Sequence, residues 1–292
     1  MRAKQIGVVV IVIAVMICLH YLPVKGLVKP KDASGHNNSV AAKSRPVTKI
    51  SVEMVSAAAK LAIGQALATQ VSDLEAKLKK ATDGKVKLDL QKQLAKKWDD
   101  VNQPAPAAFY YQDIANAGNK FGDWITAGMR FNDAFKFTQD TLIQPTFVLN
   151  AITDFKNAVK QKPNDMDAKT GLGVAFVNQT SLGMTDAEGG SPMQGIMMLL
   201  DVVKQDPNNL NANLSLGMFA MKSGQYQKAV QRFTTIIAQK PNTIEPYFYL
   251  AESYKQLGMK KEAITAYEKC KEMMPDPAFE QRINDYIKEL KK

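Results

Sequence analysis

Histidine and cysteine, the side chains that most often act as general bases, nucleophiles and metal ligands, are rare in this chain. Among 292 residues the histidines are His20 and His36, and the cysteines are Cys18 and Cys270. Both histidines lie near the N-terminus, so the rest of the chain holds one thiol and no imidazole. It therefore lacks the residues of a catalytic triad, of a zinc site and of an internal disulfide. We predict that the protein is not an enzyme and has no catalytic, cofactor-binding or metal-binding residues.

Three shorter features have simpler structural interpretations. The GLG sequence at 171–173 lacks the third glycine of a phosphate-binding loop and falls inside a predicted helix, which favours helix packing. Segment 183–192, GMTDAEGGSP, offers only Asp186 and Glu188 as oxygen ligands, too few for a calcium loop, and we interpret it as a solvated insertion. Cys270 occupies a position where a small residue packs between helices, so we predict a buried, inert thiol.

The positive charge of the chain is concentrated at its N-terminus. The formal net charge is +10, and residues 1–48 carry seven lysines and arginines against one aspartate, which leaves +4 for residues 49–292. Basic residues beside an apolar segment suit anionic lipid headgroups. We predict no nucleic-acid partner.

Residues 5–24 form an uncharged, strongly apolar run that we predict to be a single transmembrane signal anchor. As a helix it would be about 30 Å long, which matches the hydrocarbon core of a bilayer. A cleaved signal peptide is the main alternative, but no A-x-A-like site follows. A lipoprotein signal is a second one, although Ile17 precedes Cys18 where a small residue is usual. Lysines flank both ends, and the short N-terminal tail resembles that of signal anchors. We therefore expect a bacterial inner-membrane protein whose body faces the periplasm.

Two segments separate this anchor from the rest of the chain. Residues 25–48 are polar and poor in large apolar side chains, which predicts a flexible tether. Residues 49–84 are predicted to contain one long helix over 50–80. Within it Leu67, Val71, Leu74 and Leu78 have heptad spacing, but two heptads are too few for a coiled coil. We expect this helix to pack against the structure that follows.

The C-terminal part of the chain repeats itself after 34 residues. Leu216, Gly217, Gly224, Ala229, Phe233 and Pro241 correspond to Leu250, Ala251, Gly258, Ala263, Tyr267 and Pro275. Small residues allow two helices to approach closely, a large aromatic fills the space towards the next repeat, and proline ends the second helix. This pattern resembles the tetratricopeptide repeat (TPR), in which each repeat is a pair of antiparallel helices.

The resemblance extends to earlier hairpins with less regular spacing. Their pattern residues are Leu94, Ala95, Trp98, Ala107 and Tyr111; Trp124, Gly128, Phe131, Ala151, Phe155, Ala158 and Pro163; and Leu172, Gly173, Phe176, Gly195, Leu199, Val202 and Pro207. We predict an all-α protein: a right-handed α-solenoid of TPR-like hairpins over 85–292, preceded by the single transmembrane helix. The clean repeats lie at 210–243 and 244–275. Residues 277–291 are predicted to form a capping helix.

The resemblance implies a function in protein binding, because the first helices of TPR hairpins line a concave groove. The implied groove residues are Val174, Val177, Leu214, Met218, Met221, Lys222, Phe248, Glu252 and Lys255. We expect a membrane-anchored protein–protein interaction scaffold or adaptor in the bacterial envelope, with other proteins as partners. The alternative is a structural envelope protein that self-assembles into homo-oligomers, and a cryptic enzyme is a more distant one.

Overall fold

A computed structural model describes residues 49–184 and 192–291, and within these residues the chain is entirely helical, without strands. Its helices are α1 (Val52–Lys60), α2 (Gln65–Lys80), α3 (Gly84–Asp100), α4 (Pro104–Gly118), α5 (Phe121–Phe137), α6 (Gln144–Gln161), α7 (Met166–Ser181), α8 (Pro192–Gln205), α9 (Leu210–Lys222), α10 (Tyr226–Gln239), α11 (Ile244–Gln256), α12 (Lys260–Met273) and α13 (Pro277–Lys291).

Helices α3 to α12 form five consecutive hairpins, and α13 packs on the last of them. Each helix contacts its neighbours in sequence. The first helices of successive hairpins also contact one another, α5 with α7, α7 with α9 and α9 with α11. The second helices of the hairpins make no comparable contact with each other in the described part of the chain. The first helices therefore lie closer together and line the inner face of an all-α helical-repeat solenoid.

Aromatic rings packed against glycines hold neighbouring helices close together. A Cβ added at Gly217 would lie 2.6 Å from the Phe233 ring, and Phe233 is fully buried. Phe155 fits between Gly128 of its own hairpin and Gly171 of the next, where an added Cβ would lie 2.8 Å and 2.1 Å from the ring. The interpretation of the GLG sequence as helix packing is confirmed.

The turns inside the two regular hairpins depend on glycine. Gly224 and Gly258 both have φ of +73°, a left-handed conformation that costs glycine little because it has no Cβ. Helices α10 and α12 end at Gln239 and Met273, just before Pro241 and Pro275. Both observations agree with the repeat pattern.

The prediction of one long helix over 50–80 is wrong. The chain forms α1 and α2, which are separated by a turn that includes Gly64. This break turns α1 back along α2, so that Lys60 reaches Glu75 at 2.6 Å. It also lets α1 contact α4 while α2 contacts α3, which a single straight helix could not do. Packing of this segment against the first hairpin is confirmed.

Several sequence-based predictions lie outside the described residues. They include the anchor at 5–24, the tether at 25–48, and the two carboxylates of the 183–192 insertion, Asp186 and Glu188. None of the helices in the described ranges combines the length and apolar character that a membrane crossing requires.

Candidate protein-binding groove

The inner face of the solenoid is formed by α5, α7, α9 and α11. All nine predicted groove residues lie on the last three of these helices: Val174 and Val177 on α7; Leu214, Met218, Met221 and Lys222 on α9; Phe248, Glu252 and Lys255 on α11. Lys222 is exposed and the other eight are half-buried. A half-buried side chain on this face is partly covered by its own repeat and partly accessible to a partner.

The apolar groove residues are supported from behind by buried side chains. Val174 and Val177 pack on a cluster that contains Leu199 and Val202, which belong to the second helix of the same hairpin. Leu214, Met218 and Met221 pack on the C-terminal core. This support restricts the side chains that form the floor of the groove.

The structure adds Met129 on α5, which the sequence analysis did not include. Met129 follows Gly128 as Met218 follows Gly217 and Val174 follows Gly173, so the three residues occupy equivalent positions on successive first helices. Met129 is 45% exposed. The position directly after the pattern glycine of these first helices could have identified Met129 from the sequence.

A polar side chain accompanies Met129 on α5. The Asn132 Nδ2 atom donates a hydrogen bond to the Gly171 carbonyl on α7, at 3.2 Å, whereas its Oδ1 atom has no partner within the described structure. Because this oxygen is buried, Asn132 stabilises the contact between α5 and α7 and does not present an acceptor to a partner.

Ion pairs fix the first helices at the N-terminal end of this face. Arg130 binds Asp99 of α3 through two bonds, Nε to Oδ1 at 2.7 Å and Nη2 to Oδ2 at 3.1 Å. It also reaches Asp133 Oδ2 at 3.2 Å. The Tyr111 hydroxyl donates to Asp99 Oδ2 at 2.8 Å, and burial together with this carboxylate raises the pKa of Tyr111 to about 12. This network joins the first and second hairpins.

The predicted residues of the fifth hairpin contact the C-terminal helices instead of lying free. Glu252 accepts a hydrogen bond from the Tyr267 hydroxyl of α12. Lys255 lies 3.4 Å from Glu289 of α13 and 5.5 Å above the Tyr286 ring. The centroid of the Phe248 ring is 6.0 Å from those of both Tyr267 and Tyr286. These contacts leave α5, α7 and α9 as the most accessible part of the inner face.

No metal-binding group is present among the described residues. Cys270 is fully buried, and burial raises the pKa of its thiol to about 11. The prediction that Cys270 is buried is confirmed, and a neutral, inaccessible thiol is a poor nucleophile.

Part of the chain matches a known repeat family. A family model described as Tetratricopeptide repeat matches residues 244–277, which include α11 and α12. A search of curated protein sequences gives no significant match.

Two solved structures share the fold over most of the chain. One is a thermophilic TPR protein of Thermus thermophilus, with 18% sequence identity, a TM-score of 0.53, and coverage of 68% of this chain and 97% of that one. The other is a tetratricopeptide repeat protein of Parabacteroides merdae, with 15% identity, a TM-score of 0.51, and coverage of 77% and 82%. Residues 244–277 thus match the tetratricopeptide repeat, and they lie within an all-α helical-repeat solenoid like those of TPR proteins.

Proposed function

We propose that this protein is a membrane-anchored scaffold or adaptor of the bacterial cell envelope, which binds a protein partner in the inner groove of its solenoid. The observation that carries the proposal is the series of equivalent apolar residues Met129, Val174 and Met218 on contacting first helices. Methionine is flexible and polarizable, so it can adapt to different apolar side chains of a bound peptide or helix.

Site-specific photocrosslinking tests the groove directly. A photoreactive residue at position 129 or 218 should capture the same protein from native membranes. The matched control is position 259, because Met259 is exposed but lies in the turn between α11 and α12. Adding Met221→Gln should reduce capture at 218 without loss of helical content. Equal capture at positions 218 and 259 would contradict the proposal that the partner binds in the inner groove.

The envelope location is proposed from residues 5–24, whose length and apolar character suit a membrane anchor. Protease added to intact spheroplasts should digest the body of the chain and spare the N-terminal segment. A protected full-length chain would reverse the orientation, and a soluble chain that begins after residue 22 would indicate a cleaved signal.

Self-assembly is the alternative function, and α8 provides the observation that favours it. Met193, Met197 and Leu200 follow one another at intervals of four and three residues, and all three are exposed. Such a stripe is typical of a helix that packs against another helix. Sedimentation of the purified chain in detergent decides between the two functions. A protein mass that stays monomeric up to tens of micromolar excludes self-assembly, and a concentration-dependent dimer abolished by Met197→Lys supports it.

A further inference from the structure

The turn between α2 and α3 has a net positive charge as large as that of the whole body. Residues 77–92 contain six lysines and two aspartates, a net charge of +4, which equals the net charge of all residues 49–292. All six lysines are exposed, and Lys77, Lys80, Lys85, Lys87 and Lys92 form no ion pair with another described residue. Val86, at the tip of this surface, is 50% exposed.

Helix stability does not explain the lysines on α3. Lys77 and Lys80 lie in the last turn of α2, where cations favour the helix dipole. Lys85 and Lys87 lie in the first turn of α3, where the dipole disfavours a cation. Asp83 forms no ion pair with these lysines in the described structure, and its carboxylate caps α3 by accepting from the backbone N–H groups of Lys85 and Val86, each at 2.9 Å.

The chain enters the folded body at the same end as this turn. Helix α1 runs antiparallel to α2, since Lys60 near its end contacts Glu75 and Ser72 in the middle of α2. Its beginning is therefore close to the end of α2. The pKa of Glu53 is lowered mainly by a hydrogen bond with Ser51, and the charge of Lys79 adds to this effect. Helix α1 thus begins beside the lysine-rich turn.

We propose that the α2–α3 turn docks on the anionic headgroups of a phospholipid membrane, with Lys80, Lys85 and Lys87 at the lipid surface and Val86 at the interface. This inference rests on the membrane anchoring proposed above and adds a second, electrostatic contact. The flexible tether predicted from the composition of residues 25–48 would have a root-mean-square length of about 25–30 Å, which would let the turn reach the surface. The contact orients the inner groove relative to the membrane.

The composition of the turn favours lipid over nucleic acid. Residues 77–92 contain neither arginine nor an aromatic residue. Nucleic-acid surfaces commonly use arginine for bidentate contacts and aromatic rings for base stacking, whereas lysines with a neighbouring apolar side chain suffice for an anionic lipid surface.

A fluorescent probe at the tip tests the proposal in the full chain. Cys18→Ser and Val86→Cys allow an environment-sensitive dye to label position 86, because Cys270 is buried. The labelled chain is reconstituted into vesicles of phosphatidylcholine alone or mixed with phosphatidylglycerol. We expect blue-shifted emission and quenching by a lipid-attached quencher only with phosphatidylglycerol. Both signals should disappear at about 1 M salt, where the screening length is about 3 Å.

Charge variants assign the effect to this turn. Each lysine at an anionic surface contributes about a fivefold factor, so Lys80→Gln, Lys85→Gln and Lys87→Gln together should lower the ratio of docked to undocked chain about 100-fold. The matched control, Lys240→Gln, Lys260→Gln and Lys261→Gln, removes three exposed lysines elsewhere and should leave the signal unchanged.

The remaining outcomes separate the two membrane proposals. A chain that floats with neutral vesicles at high salt but lacks a lipid-dependent probe signal overturns only the docking of the turn. A chain that does not float with neutral vesicles refutes the anchor, and the probe signal with phosphatidylglycerol would still support the turn. A probe that responds to duplex DNA but not to phosphatidylglycerol would assign the surface to nucleic acid and overturn the inference.

Discussion

Lys136 and Glu245 form an ion pair across the inner face of the solenoid, with Nζ 2.9 Å from Oε1, although they are 109 residues apart in the chain. Lys136 lies in the last turn of α5 and Glu245 in the first turn of α11, so each charge also favours its own helix dipole. The pair joins the second hairpin to the fifth and passes over the two hairpins between them. It therefore limits how far the groove can open.

Breaking this pair should change the groove more than the stability. Both side chains are partly exposed, so Lys136→Met or Glu245→Gln should change the free energy of unfolding by at most about 1 kcal/mol. Spin labels at positions 137 and 240, in a Cys18→Ser background, should report a longer and broader distance distribution in either variant. The charge swap Lys136→Glu with Glu245→Lys should restore it. An unchanged distribution would show that other contacts set the groove width.

Phe233→Ala should destabilise the protein by about 3–5 kcal/mol, because it removes a fully buried ring. The ring packs on Gly217 and stacks on Tyr249 with centroids 5.5 Å apart. Hydrogen exchange should show α9 to α12 loosening before the first hairpin, since repeats couple mainly to their neighbours. The control is Phe137→Ala, because Phe137 is 57% exposed. Equal melting curves for the two variants would contradict this packing.

Gly171→Ala should lower the free energy of unfolding by about 1–3 kcal/mol, because the added methyl group overpacks the interface between helices. The new Cβ would lie 2.1 Å from the Phe155 ring, which cannot retreat because Gly128 contacts its other side. Gly122→Ala is the matched control, since Gly122 lies in the first turn of α5 with no atom near its added Cβ. The free energy of unfolding of that variant should increase by up to about 1 kcal/mol, because alanine has a higher helix propensity than glycine. Denaturant unfolding measures both, and a neutral Gly171→Ala would refute the close packing.

Asp154 should make stability depend on pH. It is fully buried, and burial raises the pKa of its carboxyl to about 7 despite a hydrogen bond donated by Gln112 Nε2 to Oδ1 at 3.0 Å. Because this value lies above the unfolded value of about 3.9, the folded state holds the proton more tightly. Its stabilisation is complete below about pH 4 and is lost as pH rises through about 7.

The free energy of unfolding should fall by up to about 4 kcal/mol as the pH rises from about 4 to above about 7, because of the raised pKa of Asp154. Asp154→Asn should remove most of this dependence and stabilise the protein at pH 8. Chemical denaturation at pH 5 and pH 8 measures the effect, and Asp73→Asn, at an exposed site, is the control. A wild-type protein equally stable at both pH values would contradict the prediction.

Glu75→Gln should release α1 from the body. Glu75 accepts hydrogen bonds from the buried Ser56 and from Tyr110 at 3.4 Å, and it pairs with Lys60 at 2.6 Å. It thereby connects α1, α2 and α4. Loss of the Glu75 charge should lower the free energy of unfolding by about 1–3 kcal/mol, because the hydrogen bonds that Glu75 accepts are bonds to a charged group. Amide exchange in 52–60 should increase while exchange in α10 stays the same. Protection of 52–60 equal to that of the wild type would show that apolar packing alone holds α1.

Much of the fold could be predicted because helical repeats are encoded locally. The 34-residue recurrence of a small residue, a turn glycine, an aromatic and a proline specifies how one hairpin packs on the next. Gly217 with Phe233, Gly224 at positive φ, and Met218 on the inner face follow from that register. The same register applied to Gly128 would have found Met129.

Other features were decided by the tertiary structure. Helix propensity over 50–80 is continuous, but packing of Val55 and Val71 into two different clusters requires the turn near Gly64. Similarly, Phe248, Glu252 and Lys255 have the register of groove residues, yet α13 brings Tyr286 and Glu289 against this end of the face.

Residue types and their spacing are therefore enough to predict the repeat, the hairpins and the inner-face register, because these depend on contacts between neighbouring segments. The folded solenoid is needed to identify the Lys136–Glu245 pair, the Glu75 junction and the contacts of the C-terminal helix. Contacts between distant hairpins depend on the packing angles summed over every intervening interface. Contacts of this kind therefore cannot be predicted from the local spacing of residue types.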